Sequence, residues 1–169
     1  MHILDSVIRP VLGAALLAVA VTVAAAGPAA AQPQQGQKFG DWTVGCEQVE
    51  GGQLCNISQS IRNKENNQPV VVAIARPPQG DAQFLVRVPL GVILTEGLAI
   101  KVDDGPGARI PYIQCLPNGC QTIVPVEAET ITRMKSGNIL GISFVAPGGG
   151  VVTAPLSLKG FTAGFDSLK

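Results

Sequence analysis

Short apolar runs broken by Gly, Pro, Asn and Asp fill the chain beyond residue 38. Trp42–Cys46, Leu54–Ile61, Val70–Arg76, Phe84–Val88, Leu98–Val102, Ile110–Cys115, Gln121–Val124, Ile139–Val145, Val151–Leu158 and Phe161–Phe165 each read as a β-strand with turn residues at its ends. Several alternate with period two. Phe84, Val86 and Val88 share one face while Leu85 and Arg87 take the other, and Ile142, Phe144 and Ala146 oppose Ser143 and Val145. Strand follows strand without long helical periods, which predicts an all-β antiparallel sandwich or barrel. The exception is Val126–Gly137. Glu127 and Glu129 open it, Arg133 and Lys135 close it, and Gly137 stands where a C-terminal cap belongs. One short helix is predicted there, with Ala128, Ile131 and Met134 as its apolar stripe. No repeat of fixed period is visible.

The longest apolar run lies elsewhere. Val11 to Ala26 follows Arg9 and leads through Gly27-Pro28 to the small residues Ala29, Ala30 and Ala31. Charged start, apolar centre and small-residue end are the layout of a secretory signal peptide, and the run is shorter than the ~20 residues a spanning helix needs. Residues 1–31 therefore read as a signal peptide cut after Ala31, with Ala26 as the second choice. Residues 32–38 read as a flexible spacer and 39–169 as a single domain, with no transmembrane segment after cleavage.

Cleavage changes what composition means. The chain has 12 basic and 12 acidic residues, and Asp5 and Arg9 leave together, so the net charge stays at zero. A neutral surface with few charges does not suit nucleic acid or anionic membranes. The 46% apolar content is partly the discarded signal. His2, the one histidine, is also removed. The mature domain then lacks the usual general base, the commonest metal ligand and the middle member of a Ser-His-Asp arrangement.

All four cysteines, Cys46, Cys55, Cys115 and Cys120, lie in the mature part, and an even count in an exported chain suggests two disulfides. Three pairings are possible. Chain entropy gives about 2 and about 3 kcal/mol for short Cys115–Cys120 and Cys46–Cys55 loops and somewhat above 4 for a long bridge from Cys46 to Cys115. Turn chemistry favours the short ones: Pro117-Asn118-Gly119 and Glu50-Gly51-Gly52 would each close a hairpin with the two cysteines opposite each other.

No constellation points to catalysis. Cys115 to Cys120 is not a C-x-x-C redox motif, and the cysteine spacing does not suit zinc. Asp103-Asp104-Gly105 lacks the spaced oxygen ligands of a calcium loop and reads as a solvated turn. Glu127 with Glu129, and Asp103 with Asp104, would diverge rather than converge on a substrate. Asn56-Ile57-Ser58 matches a glycosylation sequon that is common by chance, and Gly148-Gly149-Gly150 reads as a hairpin connection. No catalytic, cofactor-binding or metal-ligating residue is expected, and no cofactor. Arg62–Pro69 and the 77–83 segment are polar loops that could serve recognition.

Five stretches in order carry a further signal: Phe39-Gly40-Asp41-Trp42-Thr43-Val44-Gly45-Cys46 with Cys55 and Gln59; Val88-Pro89-Leu90-Gly91-Val92 with Gly97 and Leu98; Cys115-Leu116-Pro117-Asn118-Gly119-Cys120; Arg133-Met134-Lys135-Ser136-Gly137; and Pro155-Leu156-Ser157-Leu158-Lys159-Gly160-Phe161. Together they resemble the invasion-associated locus B family of exported bacterial proteins, across essentially the whole mature chain. The resemblance implies an immunoglobulin-like antiparallel β-sandwich in the periplasm or outer envelope of a Gram-negative cell, with no catalytic residues to carry over. Members are associated in some pathogens with entry into host cells, but the family is also common in free-living bacteria. The reading is a non-enzymatic envelope protein whose partner is an envelope or host protein. The alternatives are a periplasmic small-ligand carrier with a cavity between its sheets and a redox or stress-related factor using acids or thiols.

Overall fold

Alternating strands can bury one face only by packing it on another sheet. The computed structural model describes residues 33–77 and 82–168, so the predicted signal peptide lies outside the described residues. Two antiparallel sheets form. The larger runs, in spatial order, β1 (Lys38–Phe39), β2 (Trp42–Val49), β3 (Gly52–Arg62), β4 (Pro69–Arg76), β5 (Ala82–Val88), β9 (Gly119–Val126) and β8 (Gln114–Leu116). The smaller runs β11 (Val151–Ser157), β10 (Ile139–Val145), β6 (Leu98–Val102) and β7 (Gly107–Ile110). Their inner faces meet in one core, where Val44, Ile57, Val71 and Phe84 of one sheet join Leu98, Leu140, Ile142 and Leu156 of the other.

The 110–115 run is not one strand. Pro111 has no N–H to give a ladder, so β7 ends at Ile110 in the smaller sheet and β8 begins at Gln114 in the larger. Tyr112 lies in this crossover. The 161–165 piece is also not a strand but helix α2 (Phe161–Asp166). Phe161 and Phe165 are four apart, a spacing that fits both period two and a helical face, so the pattern alone could not decide. Gly160, at φ 87°, turns the chain out of β11, and the two rings then stack at 5.4 Å on one side of a helix. The described residues therefore carry two α-helices rather than the one expected. Helix α1 (Ala128–Ser136) buries Met134 and half-buries Ile131, but Ala128, expected in that stripe, is exposed. Lys135 bonds Asp166 at 2.6 Å and Thr162 donates to the Lys135 carbonyl at 2.9 Å, so the helices lean on each other.

Residues 33–38, expected in the flexible spacer, lie along β2. Gly36 N–H donates to the Val44 carbonyl, Val44 N–H returns to the Gln37 carbonyl (both 2.8 Å), and the Gln35 side chain accepts from Cys46 N–H at 2.5 Å. Polar composition suggested solvation, but the open edge of β2 supplies the partners. Asp103, read as part of a solvated turn, accepts from the N–H groups of Asn138 and Ile139 at 3.1 and 2.9 Å, fixing the entry to β10.

The two ends of the domain close on each other. Trp42, fully buried, sets its ring edge-on to Phe161 at 5.2 Å and donates from Nε1 to the Ser157 carbonyl at 3.0 Å. Gln59 of β3 grips the same residue twice: its Nε2 donates to the Ser157 carbonyl and its Oε1 accepts from Ser157 N–H, each at 3.0 Å. The side-chain amide thus acts as a strand neighbour for the end of β11, an edge strand, and bolts it to the larger sheet. The backbone at Gly40 comes so near Lys159 that a Cβ there would stand 2.5 Å from the Lys159 carbonyl oxygen. At about 1 kcal/mol net for each hydrogen bond, with a further cost for the stranded Ser157 groups, Gln59→Ala should destabilise the fold by about 2–3 kcal/mol. Gln59→Met, which keeps the bulk without the amide, should lose about as much. Urea midpoints unchanged from the parent chain would refute this role.

Candidate interaction surface

Every cysteine lies in the larger sheet, and each bridge ties directly opposite residues. Cys46 joins Cys55 across the β2–β3 hairpin, and Cys115 joins Cys120 across β8–β9. Cys115 is exposed and Cys120 buried. Gly119 beside it adopts φ 131° and packs so tightly on the Val88 carbonyl that no side chain fits. The second bridge therefore holds a rigid Leu116–Gly119 turn against the end of β5.

That turn forms one wall of an open cleft of about 490 Å³. The 62–69 turn forms another, and Pro89-Leu90, just past β5, the floor between them. Of the two recognition loops expected, 62–69 thus borders a cavity. The 77–83 loop is largely outside the described residues. The 62–69 turn is internally fixed: Asn63 N–H donates to the Gln68 carbonyl at 2.8 Å, Arg62 reaches the Asn67 carbonyl at 2.9 Å, and Asn67 takes a positive φ of 56°.

Beyond Leu90 the chain passes from the larger sheet to the smaller; Val92 turns into the core, while Leu90, Ile93 and Leu94 stay outside. Ile93 N–H donates to the Val145 carbonyl at 2.9 Å, and Val145 is paired with Val151. Ile93, Val145 and Val151 thus follow one another across neighbouring backbone segments as an apolar ridge, which Leu94 adjoins in sequence; Leu94 is 51% and Val151 71% exposed, and Leu90, which lines the cleft, is 54% exposed. Sequence reasoning missed this ridge because Leu94 reads like any apolar residue before a strand.

The space between the sheets is small. A cavity of about 60 Å³ lined by Phe84, Ile100, Val126, Met134 and Leu140 has room for a few waters, well below the about 300–1,000 Å³ of small-ligand sites. At the crossover, the Tyr112 hydroxyl and the Thr122 hydroxyl are buried without a hydrogen-bond partner among the described residues. Burial raises the Tyr112 pKa above its ordinary value of 10.0. Glu96 and Arg109 pair on the surface near the ridge.

The family model described as "Invasion associated locus B (IalB) protein" matches residues 42–169. The chain belongs to the invasion-associated locus B family. Two invasion protein B homologs, from Brucella abortus strain 2308 and Brucella abortus biovar 1 strain 9-941, are each 30% identical over 135 residues, covering 79% of this chain and 78% of theirs. The crystal structure of invasion associated protein b from Bartonella henselae superposes with a TM-score of 0.71 at 22% identity, over 78% of this chain and 92% of that one, so the fold is shared. The residues on which the sequence resemblance rests lie at structural joints: Trp42, Gln59, Ser157 and Phe161 close the sandwich, and Cys115–Cys120 frames the cleft.

Replacing Cys115 and Cys120 together by Ala should lower stability by about 2 kcal/mol, the value for so short a loop, while the domain still folds; a loss near zero on calorimetry would show the bridge to be idle. Tyr112→Phe removes a buried hydroxyl that has no partner, so stability should be equal or up to about 1 kcal/mol higher. The parent should also lose stability as pH rises past about 10, where the unfolded phenol ionises before the buried one. The variant should lack that component of the alkaline fall, and identical pH profiles would contradict it.

Proposed function

We propose that this protein is an exported, non-enzymatic envelope component that acts by binding another protein, at the cell envelope or in host-cell association. The ridge of Ile93 and Val151, with Leu94 adjoining it, carries the reading, since contiguous exposed apolar side chains on a folded domain mark a docking surface. The invasion names of the relatives, the predicted signal peptide and the two disulfides are consistent with work outside the cytoplasm. No helix among the described residues is long and apolar enough to cross a membrane. The joined cysteines argue against a thiol-based redox factor, because a free, low-pKa thiolate is the reactive species. The narrow interior argues against a carrier that holds its cargo between the sheets.

A photocrosslinking residue placed at Leu94 should join a single envelope or host protein in cells. The same residue at Gln53, on the far hairpin, should not. Leu94→Ser with Val151→Ser should reduce the adduct formed from a neighbouring position about tenfold or more, as loss of apolar anchors does. Equal labelling from both sites, or an adduct indifferent to the substitutions, would reject the ridge as the docking surface.

A further inference from the structure

The cleft beside the Cys115–Cys120 hairpin differs in chemistry from the ridge. Four carboxamides line it: Asn63, Asn66, Gln68 and Asn118. The oxygens of two are already used, since Asn63 Oδ1 accepts from Glu65 N–H at 2.7 Å and Asn66 Oδ1 from Gln68 N–H at 3.0 Å. Their Nδ2 groups remain as oriented donors. Gln68 and Asn118 make no side-chain hydrogen bond among the described residues and keep both donor and acceptor atoms. No lysine, arginine, aspartate or glutamate lines the cleft among the described residues, so neither an anion nor a cation finds a counter-charge there.

The rest of the lining is apolar and stiff. Pro69, Pro89 and Pro117 present ring faces, with Leu90 beside them. Prolines carry no N–H, so this rim offers few backbone donors to an added peptide strand. Recognition must come from side-chain amides set against flat apolar patches. Hydroxyl groups donate and accept as carboxamides do, and the C–H faces of a sugar ring suit proline faces. The walls are also set before binding, one by the disulfide and the other by the hydrogen bonds within the 62–69 turn, which lowers the ordering cost of capturing a flexible ligand. We infer that this cleft is a binding site for a neutral, hydroxyl-rich ligand, a glycan. The site is separate from the apolar ridge and does not depend on it.

The test uses the isotope-labelled protein purified from its own cells and follows side-chain amide resonances by NMR. Maltohexaose, chitotriose and galactotetraose are the neutral probes, with a heparin tetrasaccharide and a proline-rich peptide as competitors of other chemistry. At least one neutral probe should shift the Gln68 and Asn118 side-chain amides and the Leu90 methyls while the Leu94 and Val151 methyls stay fixed. Gln68→Ala and Asn118→Ala remove amides that support no other contact, so both variants should fold. Each should weaken binding roughly two- to tenfold, the worth of one hydrogen bond. Lys64→Ala, on the same turn but outside the lining, should leave it unchanged. The inference is overturned if no neutral probe binds, if the Ala variants bind as the parent does, or if the heparin fragment or the peptide binds the cleft in preference to all three sugars. Loss of the Leu94 adduct with glycan binding intact would count against the docking reading alone.

Discussion

The fold depends on one residue being held from two sides. Ser157 ends an edge strand of the smaller sheet, and its backbone groups would otherwise face an incomplete ladder. The Gln59 amide and the Trp42 indole, both from the larger sheet, satisfy them. Two sheets held only by apolar contact can slide, because the hydrophobic effect has no direction. Hydrogen bonds to one backbone position remove that freedom. The same junction orients Phe161 against Trp42 and so places α2 and, through Lys135 and Asp166, α1. Residues separated by 98 to 115 positions in the chain thus decide how the sandwich closes.

Because that junction and the packed core consume the interior, binding chemistry is left to the surface. A cavity of about 60 Å³ cannot serve as a carrier's hold, whereas the outer cleft of about 490 Å³ can accept a ligand without unfolding anything. Rigidity there comes from covalent and turn chemistry rather than burial. The Cys115–Cys120 bridge fixes one wall, and Gly119 lets it press against the Val88 carbonyl. Ridge and cleft differ in character, one apolar and the other amide-lined and uncharged. On the function proposed above, a protein with both could engage a protein and a sugar at once, on separate surfaces.

Much of this architecture was legible from local pattern. Period-two alternation placed the central strands, and acidic-to-basic ordering placed α1. Where the pattern misled, long-range neighbours were the cause. Phe161 and Phe165 fit a strand until Gly160 turns the chain, Trp42 meets Phe161 edge-on and Gly164 lets the helix lie close to Ile57, which buries both rings. Residues 33–38 look solvated until an open edge of β2 lies beside them. Asp103 is the exposed turn residue that the pattern reads, and only the arrival of residues 138 and 139 gives its carboxylate their N–H groups as partners.

The sequence by itself determined the all-β character, the family, features of composition such as a single histidine at position 2, and the turn chemistry that sets Cys46 opposite Cys55 and Cys115 opposite Cys120. These follow from short-range rules, in which a residue and its near neighbours suffice. Only the tertiary structure decided that Gln59 completes β11, that the 110–115 run divides between two sheets, that Ile93, Val145 and Val151 share a ridge, and that four amides converge on one cleft. Each of these is a meeting of residues distant in the chain. Such meetings are fixed by how two sheets pack and by which polar groups still lack partners, and neither is written in local periodicity.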